Sequence, residues 1–246
     1  MTAYRRARNS PSIHMLGKLR FWSSVFVTGL AAIICLPIVF IFPVTGVWRV
    51  AKVWSWLVLK ICNVQIYTKG LDSLVDESGY LVLSNHSSLF DVVALYRVIP
   101  FPIRFVAKRE LTYVPVFGQV LQWGAAIIVD RGDRKRAVAS VERARRAIEK
   151  GQSILVFPEG TRTPEGTLGS LKKGPFYIAT EAEVPVLPIG VKGSGHCLAS
   201  GAFSANPGII HVTAGEPFDG SGYSPTGEGR NALNERVRSE LEKLIA

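Results

Sequence analysis

No acidic residue occurs in the first 71 positions of this 246-residue chain, although nine lysines and arginines do. From Asp72 onward there are twenty basic and nineteen acidic residues, so nearly all of the net charge of +10 belongs to the N-terminal segment. Charge of either sign is absent from the 28 residues between Phe21 and Trp48, "FWSSVFVTGLAAIICLPIVFIFPVTGVW". A cleaved signal peptide has a shorter apolar region and an A-x-A-like site, and neither is present. A nucleic-acid-binding arm accounts for the charge but not for the uncharged run, so no nucleic-acid partner is expected. Cysteine is scarce: Cys35, Cys62 and Cys197 lie far apart and form no C-x-x-C pair, which excludes a disulfide framework and a zinc knuckle. A reducing compartment is the simplest setting. G-x-S-x-G is missing, and "GSLKKGP" lacks the Lys-Ser/Thr of a Walker A loop. No cluster of metal-ligating residues is evident either, so neither metal nor cofactor is expected.

What is present divides the chain in three. Residues 1–15 read as a basic, flexible tail and residues 16–62 as membrane-associated helices. Residues 63–246 form a globular domain. The uncharged run is long enough to span a bilayer, which needs about 20 apolar residues. Pro37 and Pro43 lie inside it and are expected to kink or break it. The following "RVAKVWSWLVLKIC" sets Arg49, Lys52 and Lys60 at roughly helical spacing among Trp54, Trp56 and aliphatics, the pattern of an amphipathic interfacial helix. Each cation near an anionic surface adds about 1 kcal/mol of attraction. Basic residues flank the run on both sides, so charge bias does not separate a single span from a pair lying in one leaflet.

Past Asn63, short β-rich runs alternate with helical stretches. Strands are expected at 64–68, 80–84, 103–107, 126–130, 153–157, 186–191 and 209–213, and helices near 89–98, 111–122, 134–150, 174–183 and 230–245. Most of the strands are continuous apolar runs, as in a sheet covered on both faces. The alternation predicts an α/β fold with a mixed, mostly parallel sheet flanked by helices. Asp133 is placed to cap the 134–150 helix and Gly151 to end it. The arginine-rich outer face of that helix reads as solvated, with the holding of an anionic carrier as a lesser alternative.

Two constellations carry possible chemistry. In "LVLSNHSSLFDVVAL" (81–95), His86 and Asp91 interrupt two apolar runs. Residues five apart lie about 140° apart around a helix, so the two meet only if His86 precedes the helix and Asp91 sits in its first turn. Ser88 fits as the N-cap of that helix, with Asp91 completing a capping box. Asp91 is thus either a capping acid or the partner that fixes the tautomer of a histidine base, and spacing does not separate the two. With no serine nucleophile in evidence, a base here would act on a substrate hydroxyl. The second constellation, "FPEGTRTPEGTLGSLKKGPF" (157–176), combines four glycines with Arg162, Lys172 and Lys173, and the planar fork of Arg162 suits a phosphate.

Four blocks in order carry a resemblance. "NHSSLFD" (85–91), "GAAIIVDR" (124–131), "FPEGTR" (157–162) and "VPVLPI" (184–189) resemble the motifs of the glycerolipid acyltransferase family, most closely its lysophosphatidic acid acyltransferases. The resemblance extends over about residues 60–215. It implies a glycerol-3-phosphate acyltransferase-like fold, with His86 as general base and Asp91 orienting it. Lys108 and Arg162, assisted by Arg131, would hold the acceptor phosphate. Glu159 and Gly160 would shape the acceptor pocket, and N–H groups at Gly160 or Thr161 would meet the oxyanion. The implied reaction acylates the sn-2 hydroxyl of lysophosphatidic acid from acyl-CoA or acyl-carrier protein, on the cytoplasmic face of a bilayer. The same chemistry on a lyso-ornithine lipid, another lysophospholipid or glycerol 3-phosphate is the alternative. A non-catalytic membrane-binding protein is a remoter one.

Overall fold

The computed structural model describes residues 11–74, 79–130, 134–181 and 185–246. It opens with helix α1 (Pro11–Ile41), whose first five residues belong to the segment read as a tail. The expected break at Pro37 does not occur, because a proline inside a helix removes one N–H bond and neighbouring turns hold the rest. The chain reverses around Pro43 instead and enters α2 (Thr45–Cys62). Gly46 permits that tight hairpin: a Cβ there would lie 2.4 Å from Ile38 Cγ2. The two helices run antiparallel, and Trp54 Nε1 donates to Thr28 Oγ1 at 2.9 Å.

Helix α1 is about 46 Å long at 1.5 Å per residue, and both its ends rest on the globular domain. Near the start, Ala205 N donates to Gly17 O at 3.0 Å and the Phe21 ring meets Phe203. Near the end, Cys35 and Val39 pack with Ala107, Val120, Leu121 and Ala126, and Phe40 meets Trp123 at 4.9 Å. The opposite face, with Leu19, Phe26 and Ile33, is exposed.

The sheet follows as β1 (Val64–Lys69), β2 (Leu81–Ser84), α3 (Leu89–Val98) and β3 (Ile103–Lys108). The single helix expected at 111–122 is replaced by a 3₁₀ helix (Arg109–Tyr113), the short α4 (Phe117–Val120) and a π turn (Leu121–Ala125). Pro115 is the reason. It pushes Val114 out of the helical region (φ −72°, ψ +119°), and Val116 takes φ +64°. Gly118 then lies so close to the Thr112 carbonyl that a Cβ would be 2.1 Å from its oxygen. Next come β4 (Ala126–Val129), α5 (Arg134–Glu149), β5 (Ser153–Val156), α6 (Gly174–Glu181) and β6 (Pro185–Lys192). The chain ends with α7 (Ser194–Cys197), β7 (Gly208–Ala214), β8 (Phe218–Asp219) and α8 (Gly227–Ile245). The sequence pattern missed α7 and β8, each too short to show periodicity. Asp133, the expected cap of α5, lies outside the described residues. Gly151 does end that helix, at φ +76° with its N–H on Ile148 O.

Strand order is β1-β7-β6-β2-β5-β3-β4, with β8 also on β6. All pairings are parallel except β6 with β7 and with β8. The mixed, mostly parallel α/β sheet expected from the sequence is therefore present. One face is covered by α2 and α3 through Leu59, Val82, Leu95 and Phe101. The other is covered by α5, α6 and α8 through Leu81, Ile148, Phe176 and Val237. Both β2 and β5 are buried at every position, which is why their sequences read as unbroken apolar runs.

Candidate active site

The C-terminal ends of the central parallel strands gather the sequence-selected residues. Leu83 pairs with Val156, so the register places Ser84 level with Phe157 and His86 level with Glu159. His86 therefore lies in the four-residue link between β2 and α3, alongside the loop that follows β5. Its ring stacks on Phe157, centroids 4.0 Å apart and planes 12° from parallel. His86 Nδ1 and Asp91 Oδ2 are 2.8 Å apart. The same oxygen accepts the N–H groups of Ser87 and Ser88, each at 2.8 Å, while Ser88 caps α3 by accepting from Phe90 N. The structure thus unites the two readings that spacing left apart: Asp91 caps the helix and holds the imidazole with one oxygen. Asp91 is fully buried, whereas the His86 side chain is 16% exposed. With Nδ1 committed, the other ring nitrogen, Nε2, has no hydrogen-bond partner among the described residues.

Both ends of the His86 peptide are clamped by the second constellation. Its N–H donates to Glu159 Oε1 at 2.8 Å, and its carbonyl accepts from Thr163 N at 2.8 Å. Glu159 Oε2 accepts from Gly169 N at 2.7 Å, and the residue is 2% exposed. Its carboxylate thus bridges the backbone of two loops, at His86 and at Gly169. Gly160, at φ +71°, makes the turn. Its N–H donates to Phe157 O at 3.0 Å, which removes it as an oxyanion donor and leaves Thr161 as the candidate. Arg162 and Thr161 are exposed on the same loop. Lys108 ends β3, the strand on the far side of β5, and its Nζ sits 3.0 Å from Glu110 Oε1. A pair this exposed is worth about 0–1 kcal/mol and yields readily to a better anion. Arg131 lies outside the described residues.

A third segment, unmarked by the sequence reading, completes the frame. Asn85 exchanges two hydrogen bonds with Val191 of β6, at 2.8 and 2.7 Å, and Ser88 Oγ donates to Leu198 O at 2.6 Å. The Glu165 carboxylate accepts from Gly193 N at 2.7 Å and Gly195 N at 2.6 Å. Asn85 adjoins His86 and Glu165 lies within the glycine-rich block, but their partners stand 106 and about 30 positions away, beyond local pattern.

The frame supports base chemistry on an external hydroxyl. A buried carboxylate fixes the histidine tautomer with Nδ1–H toward Asp91, which makes Nε2 the proton acceptor. Thiol nucleophiles are poorly placed: Cys35, Cys62 and Cys197 are buried. Burial raises the Cys197 thiol to about 11, so it stays protonated. Among the described residues, no group of three His, Cys, Asp or Glu side chains is arranged to hold a metal ion.

Residues 65–192 match the family model described as Acyltransferase, about half of the chain. The 1-acyl-sn-glycerol-3-phosphate acyltransferase of Pseudomonas aeruginosa is 30% identical over 230 residues, covering 91% of this chain and 86% of that one. A chloroplastic 1-acyl-sn-glycerol-3-phosphate acyltransferase of Brassica napus is 29% identical over 227 residues, or 86% of this chain and 64% of the relative. Among solved structures, the 1-acyl-sn-glycerophosphate (LPA) acyltransferase of Thermotoga maritima superposes with a TM-score of 0.77. It shares 23% identity, covers 94% of both chains and shows that the fold is common to the two.

Proposed function

The chain belongs to the acyltransferase family, and from that premise we propose that it acylates the sn-2 hydroxyl of lysophosphatidic acid from a fatty acyl thioester, giving phosphatidic acid. The observation that carries the reading is the 2.8 Å pair of His86 Nδ1 with the buried Asp91, beside an exposed Arg162. Nε2 takes the acceptor's hydroxyl proton as its oxygen attacks the thioester carbonyl. The tetrahedral oxyanion is met by backbone N–H at Thr161. Collapse expels the thiolate, which recovers the proton from the imidazolium, so no acyl-enzyme is needed and atoms balance. Base catalysis of this kind supplies about 10²–10⁴-fold. Lys108 and Arg162, on neighbouring strand ends, hold the phosphate of the acceptor, with Arg131 of the 124–131 block as a third candidate. His86 and Asp91 are the catalytic residues. Neither a metal nor a cofactor enters this reading.

The acceptor is a membrane lipid, and α1 and α2 are the seat. Because α1 touches the globular domain at both ends, its exposed apolar face favours a helix lying within one leaflet over one that crosses it. The basic residues of α2 add surface attraction on the same side, here taken as cytoplasmic.

The test is thiol release from oleoyl-CoA and from oleoyl-carrier protein by protein in lipid micelles, with and without lysophosphatidic acid, for wild type and His86→Ala. Release that needs both the acceptor and His86 is the expected result. Release without acceptor would make the protein a thioesterase. Equal use of an acceptor lacking phosphate would exclude lysophosphatidic acid as the specific acceptor.

A further inference from the structure

A cleft of about 660 Å³ runs along the open edge of β4, between that strand and α5, away from His86. Its volume falls in the range of small-molecule sites, about 300–1,000 Å³. Five cations line it, Arg104, Arg109, Arg143, Arg146 and Lys150, against one carboxylate, Asp130, which Arg109 engages at 2.6 Å. Residues 72–246 carry only one net positive charge, so a surplus of four in one cleft is segregation, not background.

Protection of the sheet edge explains part of this. Arg104 donates to Ala126 O, and Arg143 to Ile128 O, covering carbonyls that an edge strand leaves open. Each guanidinium has five N–H donors, so such a bond leaves others available. Edge protection gives no role to Lys150, which forms no ion pair among the described residues, or to Arg146, whose Nε meets Glu142.

We propose that this cleft binds the phosphorylated nucleotide of an acyl-CoA donor. The inference rests on the thioester-dependent reading above. The cations suit the diphosphate and the 3′-phosphate, and Arg146 and Lys150, toward the end of the cleft opposite Arg109 and Asp130, are placed for the 3′-phosphate. A concave site of this size fits a nucleotide better than the convex face of a carrier protein. Reach also fits. The cleft's upper end, at Arg109 and Asp130, opens at the C-terminal end of the parallel strands, the end that also carries His86. Strand β4 is three positions from β2, roughly 14 Å at 4.7–4.9 Å per strand. The pantetheine arm, from phosphorus to sulfur, matches about four extended residues, again roughly 14 Å.

The test compares oleoyl-CoA with oleoyl-3′-dephospho-CoA at saturating lysophosphatidic acid, for wild type, Arg146→Gln and Lys150→Glu. Each variant is expected to raise KM for oleoyl-CoA about fivefold, the effect of one exposed phosphate contact. KM for the dephospho donor and kcat are expected to stay unchanged. Calorimetric titration with CoA alone, which needs no catalysis, should show the same weakening. Equal effects on both donors, or none on either, would overturn the proposal. So would a wild type that uses oleoyl-carrier protein but neither CoA donor, although the acyl-transfer reading would survive. Silence with every thioester would sink that reading, and the cleft proposal with it, unless CoA still titrated into wild type and not into Lys150→Glu.

Discussion

Replacing Asp91 by Asn tests whether one oxygen serves both fold and chemistry. Oδ2 accepts three hydrogen bonds, from His86, Ser87 and Ser88, while Oδ1 has no partner among the described residues. An amide oxygen placed at Oδ2 can still take all three, but without charge. Its NH₂ then occupies the buried Oδ1 position with no acceptor, at a cost of about 1–3 kcal/mol. Weakening of the charge-assisted bonds brings the expected loss to roughly 2–4 kcal/mol, so the variant should fold with a lower Tm. If the amide turns the other way, its NH₂ opposes Nδ1–H and drives the imidazole to the wrong tautomer. In either orientation the developing imidazolium loses its counter-charge. The expected fall in kcat is therefore about 10²–10⁴-fold, with acceptor KM little changed. Steady-state thiol release at a temperature where both proteins are folded gives the comparison. A double variant with His86→Ala should lose little more than His86→Ala alone, because the two act as one unit. If Asp91→Asn lowers Tm as expected but keeps kcat within about threefold of wild type, Asp91 is a helix cap only, and His86 works without it.

Arg162→Ala is expected to raise acceptor KM by about tenfold or more with kcat nearly intact, the mark of a lost phosphate contact. Lysine at this position should restore only part of the affinity, since it lacks the planar fork; an unchanged acceptor KM would remove Arg162 from the phosphate site. Gly195→Ala places a Cβ 2.7 Å from Glu165 Oε2 and must displace that carboxylate from two N–H groups, costing roughly 1–3 kcal/mol by chemical denaturation. Glu165→Ala in the same background should add almost nothing, and additive costs would show that Gly195→Ala acts independently of Glu165.

Legibility from the sequence tracked how local each cause is. Helix α3 was expected at residues 89–98 and occurs there, because Ser88 and Asp91 write its start within four residues. The central strands were legible because burial on both faces leaves no polar interruptions. The segment 109–125 was not, since an apolar run with helical spacing hid what Pro115 and the Gly118–Thr112 approach impose in three dimensions. At the site, His86, Asp91 and Arg162 could be picked out by residue type and spacing, but not what holds them. Glu159 shows the limit. A glutamate beside a glycine turn reads equally well as a ligand to substrate or as a brace, and only its bonds to His86 N and Gly169 N make it a brace.

Those braces explain why the base stands where three distant segments converge. The strand-end loop of β2 carries His86, the loop after β5 carries Arg162, and the segment after β6 touches both, through Ser88–Leu198 and Glu165–Gly193. Asp91 apart, each loop is held by groups other than the ones assigned to chemistry, and among the described residues Nε2 of His86 and the guanidinium of Arg162 have no hydrogen-bond partner. A proton acceptor and an anion site fixed this way lose little entropy on meeting substrate, and that order is set before the lipid arrives. Loosening the turn after β6 should therefore weaken both functions together, whereas Arg162→Ala weakens one. The Gly195→Ala enzyme is the measurement that separates them. A fall in kcat alongside a rise in acceptor KM would show that the β6 turn sets the geometry of both loops, and a change in KM alone would confine its influence to the phosphate loop.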